Sequence, residues 1–225
     1  IHHTITPTRA GGTDIVSDKK RRKGLENAVY VSNFYKASDK LSFDYGLRFS
    51  FYSLLGGDTY HIYQHNQLIR SVDLKKGKVG KTYYNLEPRF SANYRLNNVS
   101  SLKLGFARNT QSLHLMSNST GGSPTDQWIG NSYNIKPEIA DQVSAGFSRN
   151  FQNNAFELNA EAYYKSMRHQ IDYRDGVDLN TVSDIESELL FGRGRAYGLE
   201  ILFKKKKGKL TGWIGYTISK TERRI

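Results

Sequence analysis

Residues 41–51 read LSFDYGLRFSF. Leu41, Phe43, Tyr45, Leu47, Phe49 and Phe51 take every odd position, and Ser42, Asp44, Gly46, Arg48 and Ser50 take the even ones. Successive side chains of a β-strand point to opposite faces, so this period of two writes one apolar and one polar face. The stretch is a strand, and the question becomes what its apolar face meets.

The pattern recurs along the chain. Leu102, Leu104 and Phe106 alternate with Ser101, Lys103 and Gly105; Val143, Ala145 and Phe147 with Gln142, Ser144 and Gly146. Phe156, Leu158, Ala160, Ala162 and Tyr164 alternate with Glu157, Asn159, Glu161 and Tyr163, and Ile214, Tyr216 and Ile218 with Gly215, Thr217 and Ser219. Eight strands are predicted, at 25–36, 40–54, 82–96, 100–111, 137–151, 155–168, 192–206 and 209–221. No segment keeps a helical period.

The connections separate the possible folds. ASDK, NNVS, QNN and KKGK are tight hairpin links rich in turn residues. The other three, at 55–81, 112–136 and 169–191, are long. Short and long alternate, which puts all short turns at one end of an antiparallel up-and-down sheet and all long loops at the other. Soluble sandwiches use Greek-key crossings; transmembrane β-barrels have short turns on one side and long loops on the other. Strands of this length exceed the ~9–11 residues that cross a bilayer when tilted. A face of Tyr, Phe and Leu running their full length would be a large sticky patch in water and is stable against lipid. The expected fold is therefore all-β, an antiparallel up-and-down transmembrane β-barrel wall. Residues 25–221 would form a partial barrel domain, 1–24 a loop with a strand remnant, and 222–225 the start of the next loop.

Composition agrees. The 225 residues include 15 Tyr and 11 Phe but no Cys, which excludes a disulfide framework and a thiolate metal site. Mean hydropathy is −0.63, and no apolar run approaches the ~18 residues of a spanning helix; neither fact bears on a barrel, whose alternating faces average out. The formal net charge of +12 raises the question of an acidic partner. The lysines from Lys204 to Lys209 fall in the last hairpin turn, and the aromatics belong to the opposite apolar set, so a stacking groove for nucleic acid is not expected. Contact with anionic lipid head groups is the milder functional reading. DKKRRK, Asp18 to Lys23, reads as a loop base before the first strand. The opening IHHTITPTRAGG has no charged-then-apolar leader pattern, and a chain starting at Ile reads as a mature product or a piece of a longer protein.

No nucleophile–base arrangement, phosphate loop or zinc-protease helix is present, so no enzyme activity and no cofactor are expected. His61 and His65 in YHIYQH share strand parity, but only Asp58 lies near them, and no metal site is assigned.

LENAVYVSNFYKASDKLSFDYGLRFSFYS, YYNLEPRFSANYRLNNVSSLKLGFARNTQSLHLMSNS, NIKPEIADQVSAGFSRNF and GRAYGLEILFKKKKGKLTGWIGYTISKT, in this order and spacing, resemble a TonB-dependent outer-membrane receptor of the kind abundant in Bacteroidota. LEPR (86–89), KPE (136–138) and the YGLE…GWIGYTIS pair carry most of it, and the likeness covers about 25–221. It implies an active transporter for a scarce or large nutrient, such as a siderophore, a corrinoid or an oligosaccharide. It also implies outer-membrane lipid around the wall, energy from the TonB complex through a plug domain, and in some members a surface lipoprotein over the loops. These residues contain neither plug nor TonB box, and KTERRI is not the terminal aromatic strand of such barrels, so the chain is expected to be an internal wall segment. The alternative is a small closed eight-stranded barrel, an adhesin or anchor, in which 25–36 would pair with 209–221.

The resemblance places His114 near the ligand vestibule. With it, Asn118, Trp128, Asn131 and Tyr133 form the candidate ligand-contacting group in loop 112–136, because aromatic faces stack on rings and amides bond polar groups. Arg48, Arg89 and Glu161, on polar faces, are candidate lumen-facing residues.

Overall fold

A computed structural model describes residues 2–5, 22–116, 127–174, 177 and 184–225. Thirteen strands follow in chain order: β1 (His2–Ile5), β2 (Arg22–Lys36), β3 (Leu41–Leu55), β4 (Asp58–Gln64), β5 (Gln67–Leu74), β6 (Val79–Asn97), β7 (Ser100–Gln111), β8 (Leu113–Met116), β9 (Gln127–Gly130), β10 (Glu138–Phe151), β11 (Phe156–Tyr173), β12 (Leu189–Lys205) and β13 (Gly212–Arg224). One turn of 3-10 helix spans Ile185–Glu188.

Nine strands form one antiparallel sheet in the order β1-β2-β3-β6-β7-β10-β11-β12-β13. All eight predicted strands are in it. Its ends do not meet, and β2 gives its second edge to β1. The pairing of 25–36 with 209–221, which the alternative of a closed eight-stranded barrel requires, does not form. Strand bounds differ at both ends of the partial barrel. β2 begins at Arg22, and β13 runs from Gly212 to Arg224, three residues later than predicted. The last turn spans more residues than KKGK alone, because Lys205 pairs with Gly212.

The register aligns the apolar face across the wall. Phe43, Tyr45, Leu47 and Phe49 stand opposite Ala92, Phe90, Pro88 and Leu86. Phe147, Ala145 and Val143 stand opposite Leu102, Leu104 and Phe106 on one side and Ala160, Ala162 and Tyr164 on the other. Leu199, Ile201 and Phe203 face Ile218, Tyr216 and Ile214. These side chains stay largely exposed, Leu104 at 58% and Ile214 at 74%. An apolar band of this extent without protein cover is what a lipid-facing wall needs and a water-soluble domain avoids. Packing within the band comes from neighbours in the sheet, such as Phe49 on Tyr84 (ring centroids 6.1 Å apart) and Phe156 on Phe203 (5.6 Å).

The short turns close as their residues dictate. Ala37 and Ser38 donate to the Leu41 carbonyl. Gln152, Asn153 and Asn154 all have positive φ, which Asn tolerates better than most residues. Gly208 sits at φ +109°. At the opposite end two of the long connections carry strands of their own, and the third carries the 3-10 turn. β4 and β5 pair as a hairpin, and β8 pairs with β9. Met116, Ile129, Ile135, Ile171 and Leu189 pack there into a small core, with Tyr173 and Ile185 against it.

Candidate functional site

The loop end is held by a buried polar network around Glu186, itself almost fully buried. Asp184 caps the 3-10 turn by accepting from the Glu186 amide at 3.2 Å. That cap directs the Glu186 carboxylate inward, where Oε2 accepts from Ser132 Oγ at 2.7 Å and from Asn134 Nδ2. Arg22, at the first position of β2, pairs with both Glu186 and Asp184. Its guanidinium lies 5.8 Å from the centre of the Tyr60 ring. Tyr63 of β4 donates to Asp184 Oδ2 at 3.0 Å, and the Asn134 side-chain oxygen accepts from the Tyr63 amide at 2.9 Å. Asn66, in the β4–β5 turn, donates to the Ser187 carbonyl. The start of β2, the β4–β5 hairpin, the 131–135 segment and the 184–188 turn are thereby tied into one platform. Burial, and then the Asp184 carboxylate, push the Tyr63 phenol up to about 12, so it remains a donor at any physiological pH.

The five ligand candidates divide on this platform. His114 (3% exposed) and Asn131 (1%) are interior, and His114 Nε2 lies 3.2 Å from Asn131 Oδ1. Burial lowers the His114 pKa from its ordinary 6.5, against the raising effects of the Asn131 contact and of Glu138, whose Oε1 is 3.7 Å from Nδ1. Tyr133 is half-buried, its ring 6.0 Å from that of Tyr60. Trp128 stands on β9 and is 52% exposed. Asn118 lies outside the described residues. The group is thus a buried pair, a packed Tyr and an exposed indole, rather than one open pocket.

Arg48, Arg89 and Glu161 lie on the face opposite to the apolar band. Arg48 stands across from Glu87. Arg89 borders a shallow groove of about 220 Å³ with Asp44, Ser91, Lys103, Gln142 and Ser144. Glu161 stands across from Glu200. The acids of LEPR and KPE have structural partners. Glu87 accepts from Ser50 and Thr110, and Glu138 accepts from Gln170 Nε2 at 3.0 Å.

The sequence reading missed Arg22 and Glu186. Arg22 belongs to the DKKRRK run read as a solvated loop base, and it is instead an ion-paired anchor. Of the lysine-rich turn, Lys206 pairs with Glu157 and Lys207 donates to the Asn153 carbonyl at 2.7 Å, so part of the run clips two adjacent hairpins together. His61 contacts Ser71 Oγ at 2.9 Å and His65 sits in the β4–β5 turn. Among the described residues no three His, Asp or Glu side chains converge as for a metal ion.

The comparisons with known proteins agree with this architecture. The family model described as TonB dependent receptor-like, beta-barrel matches residues 3–224. Among solved structures, the FrpB iron transporter from Neisseria meningitidis (F3-3 variant) matches with TM-score 0.60 and 16% identity, over 91% of this chain and 27% of that one. The ferric-catecholate import receptor Fiu from K12 E. coli gives 0.56 and 15%, over 91% and 29%. The ferric yersiniabactin uptake receptor FyuA from Yersinia pestis gives 0.56 and 15%, over 91% and 28%. A comparison with curated protein sequences found no match. The chain spans under a third of the length of these structural relatives, and at such identities the likeness speaks to fold. With the family model matched over almost its whole length, the chain belongs to the TonB-dependent receptor β-barrel family, whose members are outer-membrane transport receptors and not enzymes.

Proposed function

We propose that this chain is part of the barrel wall of an active importer for a scarce or large nutrient, with an iron chelate of the siderophore type as its substrate class. The observation that carries the reading is the loop platform. Loops serving only as solvated linkers need no buried ion pair and no shared hydrogen-bond network, whereas a ligand vestibule needs loops held at fixed positions over the lumen. The exposed Trp128 of β9 offers an aromatic surface to a ring-bearing ligand. Solved structures similar to this wall include an iron transporter and two receptors for ferric chelates, as their descriptions state. The wall itself performs no covalent step. Capture at the loops would be followed by rearrangement of a plug and passage inward, energised by the TonB complex. A corrinoid or an oligosaccharide is the competing cargo, the latter with a surface lipoprotein over the loops.

The test is uptake by the full-length receptor in a strain lacking its own copy. Growth on ferric chelates under iron limitation, lost when TonB is deleted, is the expected result. Growth restored only by a corrinoid or an oligosaccharide would replace the cargo, and no TonB-dependent uptake of any of the three would sink the transport reading.

A further inference from the structure

On its loop side the outward face of the wall changes from aromatic to cationic within two register steps. The row Phe106, Val143, Tyr164, Tyr197 ends the apolar surface and already places Lys220 beside Tyr197. One step further stand Arg108, Asp141, Ser166, Arg195 and Glu222, and after them Ile139, Arg168, Arg193 and Arg224. The irregularity in β11 falls between Arg168 and Gln170, beyond both rows, so these side chains keep the parity of the apolar band. They face the surroundings of the barrel and not its lumen.

The carboxylates present orient the band and do not neutralise it. Asp141 accepts both Nε (2.6 Å) and Nη2 (3.1 Å) of Arg108 and Nη2 of Arg168 (2.9 Å). Glu222 pairs with Arg195 and, at 2.5 Å, with Lys220. Five guanidinium groups and one ammonium thus meet two carboxylates. Arg193 and Arg224, both exposed, take part in none of these pairs. A solvated surface would need no such arrangement at this height. Tyr belts mark the boundary between acyl chains and head groups, and a strand advances about 3.3 Å per residue. The cations therefore lie in the head-group layer. Guanidinium groups pair with phosphate bidentately, and Arg is the residue suited to that contact. At the turn end, by contrast, outward Arg149 and Lys205 rest on Phe151 and Phe156.

We propose that this outward band on β7, β10, β11, β12 and β13 binds the phosphate groups of a phosphorylated lipid in the outer leaflet. The inference rests on the membrane placement of the wall and not on the transported cargo, so either can fail alone.

The experiment uses the full-length receptor extracted in detergent and mass spectrometry of the intact protein–lipid complex. The probe is purified lipid A, native or enzymatically dephosphorylated. The wild type should retain the native lipid. Arg193→Gln/Arg224→Gln should retain roughly ten-fold less, having lost two charge-assisted contacts. The Lys207→Gln/Lys209→Gln control at the opposite end should match the wild type. Dephosphorylated lipid should be held no better than by the arginine variant, and excess inorganic phosphate should not displace the native lipid. Equal retention by the arginine variant, equal retention of dephosphorylated lipid, or displacement by free phosphate would each overturn the proposal. Heat-dependent gel mobility reports that the barrel is folded. If the double variant is not, Arg193→Gln alone is scored the same way.

Discussion

Arg48 and Glu87 face each other across β3 and β6 on the polar side of the wall, Nε 3.7 Å from Oε1, while Ser50 donates to the same carboxylate oxygen at 2.5 Å. Thr110 of β7 adds a third contact at 3.0 Å. Glu87 is nearly fully buried, so its charge is compensated by neighbours rather than by water. The residue that makes LEPR recognisable thus links three strands.

Glu87→Leu should destabilise the wall by about 1.5–3 kcal/mol, the worth of hydrogen bonds to a charged group, since it leaves Arg48 and two hydroxyls without their acceptor. Glu87→Gln keeps an acceptor oxygen and should cost less. The check is the temperature of the heat-dependent gel-mobility transition of the full-length receptor. Equal shifts for the two substitutions would show that the carboxylate is not the anchor.

Glu186→Ala should loosen the loop platform while leaving the transmembrane strands intact. Breaking a buried pair by removing one partner costs about 3–5 kcal/mol, and here Ser132 loses its acceptor while Asn134 and Arg22 each lose one of two. Hydrogen exchange should rise in 127–135 and 184–188 and stay unchanged in β10 and β12. Arg22→Gln should reproduce the effect in weaker form, because Glu186 keeps Ser132 and Asn134.

His114 makes the platform sensitive to acid. Its folded pKa lies below the unfolded value near 6.5, so between the two the unfolded chain binds more protons. The stability it contributes is whole above about 6.5, falls as pH drops from there towards the folded pKa, and is level below it. Hydrogen exchange in 112–116 and 127–131, corrected for intrinsic rates, should show more opening at pH 5.5 than at pH 7.5. His114→Gln should flatten that difference.

The wall was legible because its physics is local. Period-two alternation writes itself in a dozen consecutive residues, and Asn, Gly, Ser and Asp mark the turns. The β4–β5 hairpin was harder to read: His65 and Asn66 both take positive φ, the backbone of a two-residue hairpin turn, but in QLIRSV (67–72) Leu68 and Ile69 stand side by side and break the period of two. The platform was not legible. Arg22 meets Asp184 across 162 residues and Tyr63 meets Asp184 across 121, and no periodicity reports such meetings. Likewise the burial of His114 and Asn131, chosen as ligand contacts for the family's vestibule and for an amide's hydrogen bonding, could not be read from a long loop without periodicity. The β8–β9 pairing, with His114 opposite Ile129, places His114 inside.

That difference in burial separates the roles of the candidate residues. Trp128 is half exposed on β9 and packs little, so Trp128→Ala should leave the melting transition within about 0.5 kcal/mol of wild type. If its indole stacks on the ligand, affinity should fall by roughly ten-fold, the worth of one well-placed aromatic contact. Asn131→Ala should behave in the opposite way. Asn131 is 1% exposed, and its side-chain oxygen is the partner of His114. Its loss should cost about 1–3 kcal/mol of loop stability and lower affinity only as far as the platform opens. Calorimetric titration of the full-length receptor with a ferric chelate, beside thermal unfolding of the same samples, distinguishes the two. A Trp128 variant with unchanged affinity would remove that side chain from the ligand site. An Asn131 variant that bound weakly at full stability would put Asn131 in direct contact, which its burial speaks against.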